Sequence, residues 1–548
     1  MMNHYQENPF GSARFATPLE VRGAFRGKGG LPMGFHHGRQ LFHDQQAGAL
    51  LIGGAGSGKF TTVLSHLLAA PGRKGEPQRV LAVDPKGEMA AVIGPGLVHM
   101  GAHVYYVNPY HLHGLPNHSL NIYSHLKPDA PALVADTRRA ARTLLPESGG
   151  GDARFFEQKA QNWADPLIRG LVHRDGSVSP RSLHDLISMI RAEPEGWAQM
   201  AETMAALGEP DLDTAFREML DMAKHSRKTY DSVLSEITNA VAFMNDPALQ
   251  QSFVGEDEAD FTLDVLTEDS QRPVFVFLMM PAELIEQNAP LIRQCFSTLR
   301  TLKQRKPGAP TVNLVIDEAA QLGRFPELSE FYAIGRGFGL CPLCVYQDLG
   351  QIRQNLGPTG AMTLQANADV EIYLGGGLSD LETAQHLSRK LGQQTLAVDD
   401  PLTQARAAKA RREALHGILF EGRDALKTGI ALRHLDMEMA HKRKQARALM
   451  SPDEILTMPA NKALIWASGY GIRPFLADKV PYYTIRRYAG RYFPNPYFDR
   501  DMERVKVRGF WGARYRRVIC EAVPTRYRDF PQYRSGEWRF IKGYRPKT

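Results

Sequence analysis

The sequence predicts an α/β fold: a mainly parallel, doubly wound sheet that carries a glycine-rich phosphate loop and is interrupted by an all-helical insertion. Three observations carry that expectation. The stretch AGALLIGGAGSGKFTTVLSHLLAA reads as a buried apolar strand, a glycine loop and a helix in direct succession. Further short apolar runs follow, each bounded by turn residues: RVLAVDPKGE, VYYVNPY, RPVFVFLMMP, NLVIDEAA, LCPLCVYQD and DVEIYLGGG. Strands separated by helical stretches form parallel sheets whose ligand sits at the strand carboxyl ends. Between about Lys127 and Ser270 the texture changes to helical periodicity, as in RFFEQKAQNWADPLIRGLVHR, so a helical domain splits the sheet into two sequence halves.

The element order then sets expected boundaries. Residues 1–49 form an amino-terminal segment without a membrane span. Residues 50–126 and 271–490 form the nucleotide-binding domain, and 127–270 the all-helical domain. ALIWASGYGIRPFLADKVPYY supplies closing strands. Residues 400–447 are rich in Ala, Arg and Lys (QARAAKARREAL, HKRKQARAL), as in a solvated helix, a linker or a nucleic-acid contact. Residues 491–548 form a basic, aromatic tail. A chain of 548 residues has room for two to four such units at roughly 150 residues each.

Composition narrows the class. Apolar residues make up 43% and charged residues 23%, the balance of a globular protein. No run approaches the ~18 apolar residues of a membrane span. The first fifty residues carry Arg14, Glu20, Arg22, Arg26, Lys28 and Arg39, so neither an anchor nor a signal peptide is expected. Four scattered cysteines suit a reducing cytoplasm rather than a disulfide framework. Cys341 and Cys344 form a C-x-x-C, but inside an apolar run that reads as a strand.

The chemistry centres on the loop. Gly53, Gly54, Ala55, Gly56, Ser57, Gly58 and Lys59 match G-x-x-x-x-G-K, in which backbone N–H groups cradle phosphates and the lysine reaches the β and γ phosphates. The next position should be a Ser or Thr that binds Mg²⁺; here it is Phe60, followed by Thr61. NLVIDEAAQ delivers Asp317 to the Mg²⁺ shell and Glu318 to polarise the attacking water. Gln347, ending LCVYQ, suits a γ-phosphate sensor, with a strand-capping amide as the alternative. Ring ATPases add an arginine from the next subunit; Arg336 in IGRGFG is the candidate, Arg324 the second choice, and surface solvation the plain alternative. The reading is an ATPase that uses ATP and Mg²⁺.

These residues resemble the type IV secretion coupling proteins, the TraG-like conjugative DNA-transfer ATPases. The similarity runs from Gly11 to about Tyr483 and rests on GSARFAT, GGAGSGK, VDPKGE, VNPY, LVIDEAAQLGRFPEL, IGRGFGLCPLCVYQDLGQI, DVEIYLGGGLSDLETAQHLSRKLGQQT and MSPDEILTMP, in that order. The resemblance implies a RecA-like motor with an inserted helical domain, a homo-hexameric ring, and ATP-driven delivery of DNA, a relaxase–DNA complex or protein to a secretion channel. It also implies that Asp84 and Lys86 lie near the nucleotide. Members usually carry membrane spans before GSAR, where this chain has ten residues, so a cytoplasmic protein recruited to the inner membrane by a partner is expected. An adaptor that uses nucleotide as a switch is the alternative; a general DNA pump is disfavoured by GSARFAT and SPDEIL.

The tail lies outside that pattern. From Asn495 onward there are fourteen Lys/Arg against six Asp/Glu, which accounts for the chain's formal charge of +7. Arg508, Trp511, Arg514, Arg516 and Arg517 are the expected nucleic-acid contacts, since cations neutralise phosphates and rings stack on bases. A partner-docking or solvated tail is the alternative.

Overall fold

The computed structural model describes residues 8–147, 153–207, 209–398, 408–414, 416, 420 and 443–547. The chain divides into two compact units. The larger is Thr17–Leu378 with Pro459–Thr548; the smaller comprises the described parts of Met1–Ala16 and Ser379–Met458.

Eighteen strands are defined among the described residues: β1 (Leu31–His36), β2 (Arg39–His43), β3 (Gly48–Ile52), β4 (Arg79–Val83), β5 (His103–Val107), β6 (Leu120–Asn121), β7 (Phe261–Thr262), β8 (Val274–Leu278), β9 (Val312–Ile316), β10 (Leu340–Tyr346), β11 (Ala368–Leu374), β12 (Gln393–Val398), β13 (Arg443–Ala448), β14 (Lys462–Trp466), β15 (Phe475–Asp478), β16 (Arg504–Gly509), β17 (Gly512–Ala522) and β18 (Glu537–Ile541). Eleven of them make one sheet in the order β2-β1-β15-β14-β11-β3-β10-β9-β4-β8-β5. From β11 to β5 every neighbouring pair is parallel; β14, β15, β1 and β2 add an antiparallel flank. Strands β3, β4, β8, β9 and β10 are buried along their whole length. A parallel strand covered on both faces needs a largely apolar run, and these segments show it except at Arg79, which donates to Arg272 O and Ser270 O, and Asn313, which donates to Gln78 Oε1.

The sheet begins earlier in the chain than residue 50. β1 pairs with β15 at Phe35↔Asp478, so the segment set apart as 1–49 supplies two strands of the nucleotide-binding sheet. Local pattern does not reveal this, because the partner strand lies some 440 residues away and the run is broken by Pro32 and Gly34, where the register shifts.

Helices run from Leu133–Leu144 to Pro247–Ser252 between β6 and β7, which pair in parallel. Four of them open with proline at the first turn, at Pro180, Pro194, Pro210 and Pro247, where the missing N–H costs nothing and φ is already helical. Ser179 adds a reciprocal capping box with Ser182.

In the smaller unit β12 and β13 form an antiparallel ribbon beside the helix Leu381–Leu391. Part of the basic 400–447 stretch is thus strand, at Arg443–Ala448, and 408–414 is helical. The remainder, 400–407 and most of 415–442, lies outside the described residues.

The basic tail is a folded element. β16, β17 and β18 make a three-stranded antiparallel sheet, and Tyr527, Phe530, Tyr533, Trp538 and Phe540 cluster with Val98 and Val523. Cys341 and Cys344 are buried in β10, as a plain strand requires. Among the described residues no three His, Cys, Asp or Glu side chains are grouped to hold a metal, and no helix is long and apolar enough to cross a membrane.

Candidate nucleotide site

The phosphate loop leaves the carboxyl end of β3, flanked by β10 and β11. Gly53 N donates to Tyr346 O at 3.0 Å and Gly54 N to Gly377 O at 3.0 Å, which pins the loop to the ends of both neighbours. A side chain at position 54 would meet Gly377 O at 2.2 Å, so only glycine allows that approach. Gly56 and Gly58 have φ of 72° and 80°, the left-handed region, and turn the backbone between them. This is the cradle that phosphate oxygens require, and Lys59 begins a helix directly behind it.

That helix is short. Lys59–Thr62 is one turn, and the chain continues as 3₁₀ helix over Leu64–Ala69, whereas the sequence reads as one regular helix. The run Thr61-Thr62-Val63 is β-branched and stiff, and the hydroxyls of Thr61 and Thr62 turn back onto Gly58 O at 3.3 and 2.8 Å.

Phe60 points into the core. Its ring is buried edge-on against Tyr482, centroids 5.8 Å apart, so it anchors the helix start and offers nothing to a ligand but its backbone. Replacing Phe60 by threonine is therefore expected to lower stability by about 3 kcal/mol, the usual range for losing a buried aromatic side chain. Denaturant unfolding checks this, and an unchanged midpoint would show that the ring does not hold the loop. Thr61 hydrogen-bonds the loop backbone and is half-buried.

The acidic residues arrive from β4 and β9, adjacent strands in the sheet. Asp317 is half-buried, yet its Oδ1 is buried without a hydrogen-bond partner. Burial pushes its carboxyl up to about 6; Glu318 adds to that shift, and Lys59 and Lys86 oppose it. Glu318 sits at φ 57°, a strained conformation for a residue with a side chain. Lys59 Nζ lies 3.7 Å from its Oε1, and Gln347 Nε2 donates to its Oε2 at 3.2 Å. Lys59, Glu318 and Gln347 thus meet at the carboxyl ends of β3, β9 and β10, with Asp317 adjacent. Asp84, at the end of β4, is buried and pushed up to about 8 by desolvation, although Ala90 N donates to it at 2.7 Å; Asp317 adds to the shift. It lies beside the site but faces inward, as a brace for the turn into Glu88–Ile93.

Two residues here escaped sequence reasoning. Lys479 is buried, donates to Ser57 O at 2.5 Å and Gly375 O at 2.8 Å, and so ties the loop to the β11 end. Burial pulls its ammonium down to about 8. Asn495 donates to Glu88 Oε1 at 2.6 Å, and burial raises the Glu88 carboxyl despite that bond. The one visible signal was a lysine ending an apolar strand, LADK.

Arg336 is not brought to its own loop. It is exposed in the turn Gly335–Phe338 before β10, whereas the loop is fastened to that strand's far end, roughly 20 Å away at strand rise. Its charge acts on Asp369, at the start of β11, where it opposes the rise that burial gives that carboxyl.

The tail residues divide between two faces of the β16–β17 hairpin. Val505 and Val507 are buried, and their partners across the ladder are Arg516 and Arg514. Arg508 lies on the opposite face with Arg504, Lys506, Tyr515 and Arg517, and Trp511 is 81% exposed at the tip. Arg504 stands directly opposite Arg517, a like-charge pairing that costs stability in a sheet.

Comparison with known proteins matches this geometry. A family model described as type IV secretory system conjugative DNA transfer matches residues 19–413, well over half of the chain. A conjugal transfer protein TraG of Escherichia coli is 23% identical over 381 residues, covering 64% of this chain and 54% of that protein, and a second is 24% identical over 380 residues. The chain spans about half the length of these curated relatives. Among solved structures, the bacterial conjugative coupling protein TrwBdeltaN70 superposes with a TM-score of 0.56 at 18% identity, covering 86% of this chain and 94% of that one. TrwB in complex with ADP and Mg²⁺ gives 0.57, again at 18% identity. The shared fold is a P-loop core of parallel strands, and by the extent of the family match this chain belongs to the type IV secretory system conjugative DNA transfer family.

Proposed function

We propose that this chain is a coupling ATPase: a homo-hexamer, cytoplasmic and peripheral at the inner membrane, that uses ATP to pass DNA or a relaxase–DNA complex into a type IV secretion channel. The observation that carries the reading is the meeting of Lys59, Glu318 and Gln347 beside Asp317 below an intact phosphate cradle. The TrwB structures with ADP and Mg²⁺ and with a non-hydrolysable ATP analogue support it.

The residues divide the work as follows. The loop amides from Gly53 to Lys59 bind the phosphates, and the Lys59 ammonium neutralises charge growing on the transferred group. Glu318 takes the proton of the attacking water, and Gln347 holds that carboxylate in place. Bound Mg²⁺ would supply further charge neutralisation, and Asp317, with its partnerless Oδ1, is the side chain that would hold it. Phe60 has no hydroxyl to offer such an ion, so water would have to take that place. Arg336 acts on a neighbouring subunit's nucleotide. Arg508, Arg517 and Trp511 contact single-stranded DNA from one side of the hairpin and its tip, and Arg514 and Arg516 from the other.

The test is ATP turnover with and without single-stranded DNA. Turnover is expected to rise with DNA and to fall to background in Lys59→Ala. Equal rates in the presence and absence of DNA would overturn the DNA motor. Phe60 favours one rival, a nucleotide-switched adaptor that docks effector proteins. Tight ATP binding with turnover no higher than that of Glu318→Gln would select it.

A further inference from the structure

We propose a second anion site, separate from the phosphate loop, that binds a compact polyphosphate. The chain folds a cavity of about 810 Å³ at the amino ends of β5 and β8, whereas the phosphate loop lies at the carboxyl end of β3. Its wall brings together residues far apart in sequence: Val98–Gly101, the Gln271–Pro273 turn, the 486–491 segment, Arg526 and the last turn through Lys547.

The lining is strongly one-signed. Arg272, Arg486, Arg487, Arg491, Arg526 and Arg545 face it together with Lys547, and the lining includes no Asp or Glu. Of these seven cations, Arg545 is the one with a carboxylate partner among the described residues, Glu521 at 2.6 Å. His99 adds no charge at neutral pH, because burial, helped by Arg491, pushes it down to about 4.

Aromatic rings, not carboxylates, hold most of these guanidinium groups. Arg272 lies 4.7 Å from the Phe530 centroid, Arg486 4.6 Å from Phe510, Arg526 5.9 Å from Tyr527 and Arg545 5.6 Å from Phe540. A ring fixes the direction of the guanidinium without neutralising its charge, and Arg545 alone of these four also pairs with a carboxylate, while Arg526 Nη1 donates to Lys547 O at 3.5 Å. The site is therefore positioned in advance, and its cations repel one another until an anion enters. Arginine forks pair bidentately with phosphate oxygens. A volume within the ~300–1,000 Å³ of small-molecule sites suits one ligand with several phosphates rather than a long strand. A nucleoside polyphosphate, inorganic polyphosphate and a multiply phosphorylated lipid headgroup share that chemistry.

The experiment is calorimetric titration of inorganic tripolyphosphate into the full chain carrying Lys59→Ala, which disables the phosphate loop. One-to-one binding is expected. Arg526→Gln, at an exposed position, and Arg272→Gln should each weaken it about tenfold, the loss of one charge-assisted contact. Lys506→Gln on the hairpin should leave it unchanged, and the melting temperature of ligand-free Arg526→Gln should match its parent. Parallel titrations with ATP and with a soluble inositol polyphosphate headgroup identify the source by which binds more tightly. The proposal is overturned if tripolyphosphate no longer binds once Lys59 is removed. It is equally overturned if sulfate at matched ionic strength binds as well, or if the arginine variants weaken only oligothymidylate binding. None of these outcomes depends on ATP turnover, so the coupling reading stands or falls separately.

Discussion

Replacing Glu318 by glutamine is expected to lower ATP turnover by about a hundred- to ten-thousand-fold, the range for removing a general base, while nucleotide still binds. The substitution keeps the shape of the side chain and leaves an amide oxygen to accept from Gln347, so the hydrogen bond at 3.2 Å survives. It removes only the charge that faces Lys59 at 3.7 Å and the capacity to take a proton. The backbone at φ 57° is the same for either residue, so the strain of this position is unaltered. A coupled turnover assay beside fluorescent-nucleotide binding separates the two effects. If the variant turns over ATP like its parent, Glu318 is a structural residue of the β9 turn and the assignment fails.

Replacing Lys59 by alanine should weaken nucleotide binding by about ten- to a hundredfold, the loss of charged hydrogen bonds to phosphate, and abolish turnover. The lysine is the sole cation placed on the loop itself, and it also faces the carboxylates of Asp317 and Glu318. Without it, the two acidic groups would meet the incoming phosphates with only Lys86 to offset Asp317, so binding and chemistry suffer together. Equal affinity of parent and variant would mean that the cradle Gly53–Gly58 holds nucleotide by its amides alone. The buried Lys479 offers a useful contrast. It bonds only backbone carbonyls of the loop and of Gly375, so its effect on nucleotide would pass through loop geometry.

Much of the site was legible because its chemistry demands particular residues at fixed local spacing. A phosphate cradle needs glycines that can turn left-handed, followed at once by a cation. β9 needs a mostly apolar run to stay buried, with its one amide, Asn313, hydrogen-bonded to Gln78, and then two carboxylates at its end. Gln347 follows the same rule at the end of β10. Each constraint acts within a few residues, so each leaves a readable motif. Arg336, expected to serve the next subunit, lies at the opposite end of β10 from its own loop, and which loop an arginine serves is not written in the motif around it.

By itself the sequence determined the α/β class, the order of the parallel strands' appearance, the helical insertion, the phosphate loop and the acidic pair, because period, propensity and loop chemistry are local. Only the tertiary structure decided what depends on distant partners. It placed Leu31–His43 in the sheet, since those strands find their neighbour at β15. It turned Phe60 from a missing metal ligand into a packed anchor against Tyr482. It folded the basic tail into a sheet whose pleat sends Arg508 and Arg517 to one face and Arg514 and Arg516 to the other. And it gathered arginines from positions 272, 486 and 526 around one cavity, a charge density that no window along the chain contains, because it arises only where separate segments meet.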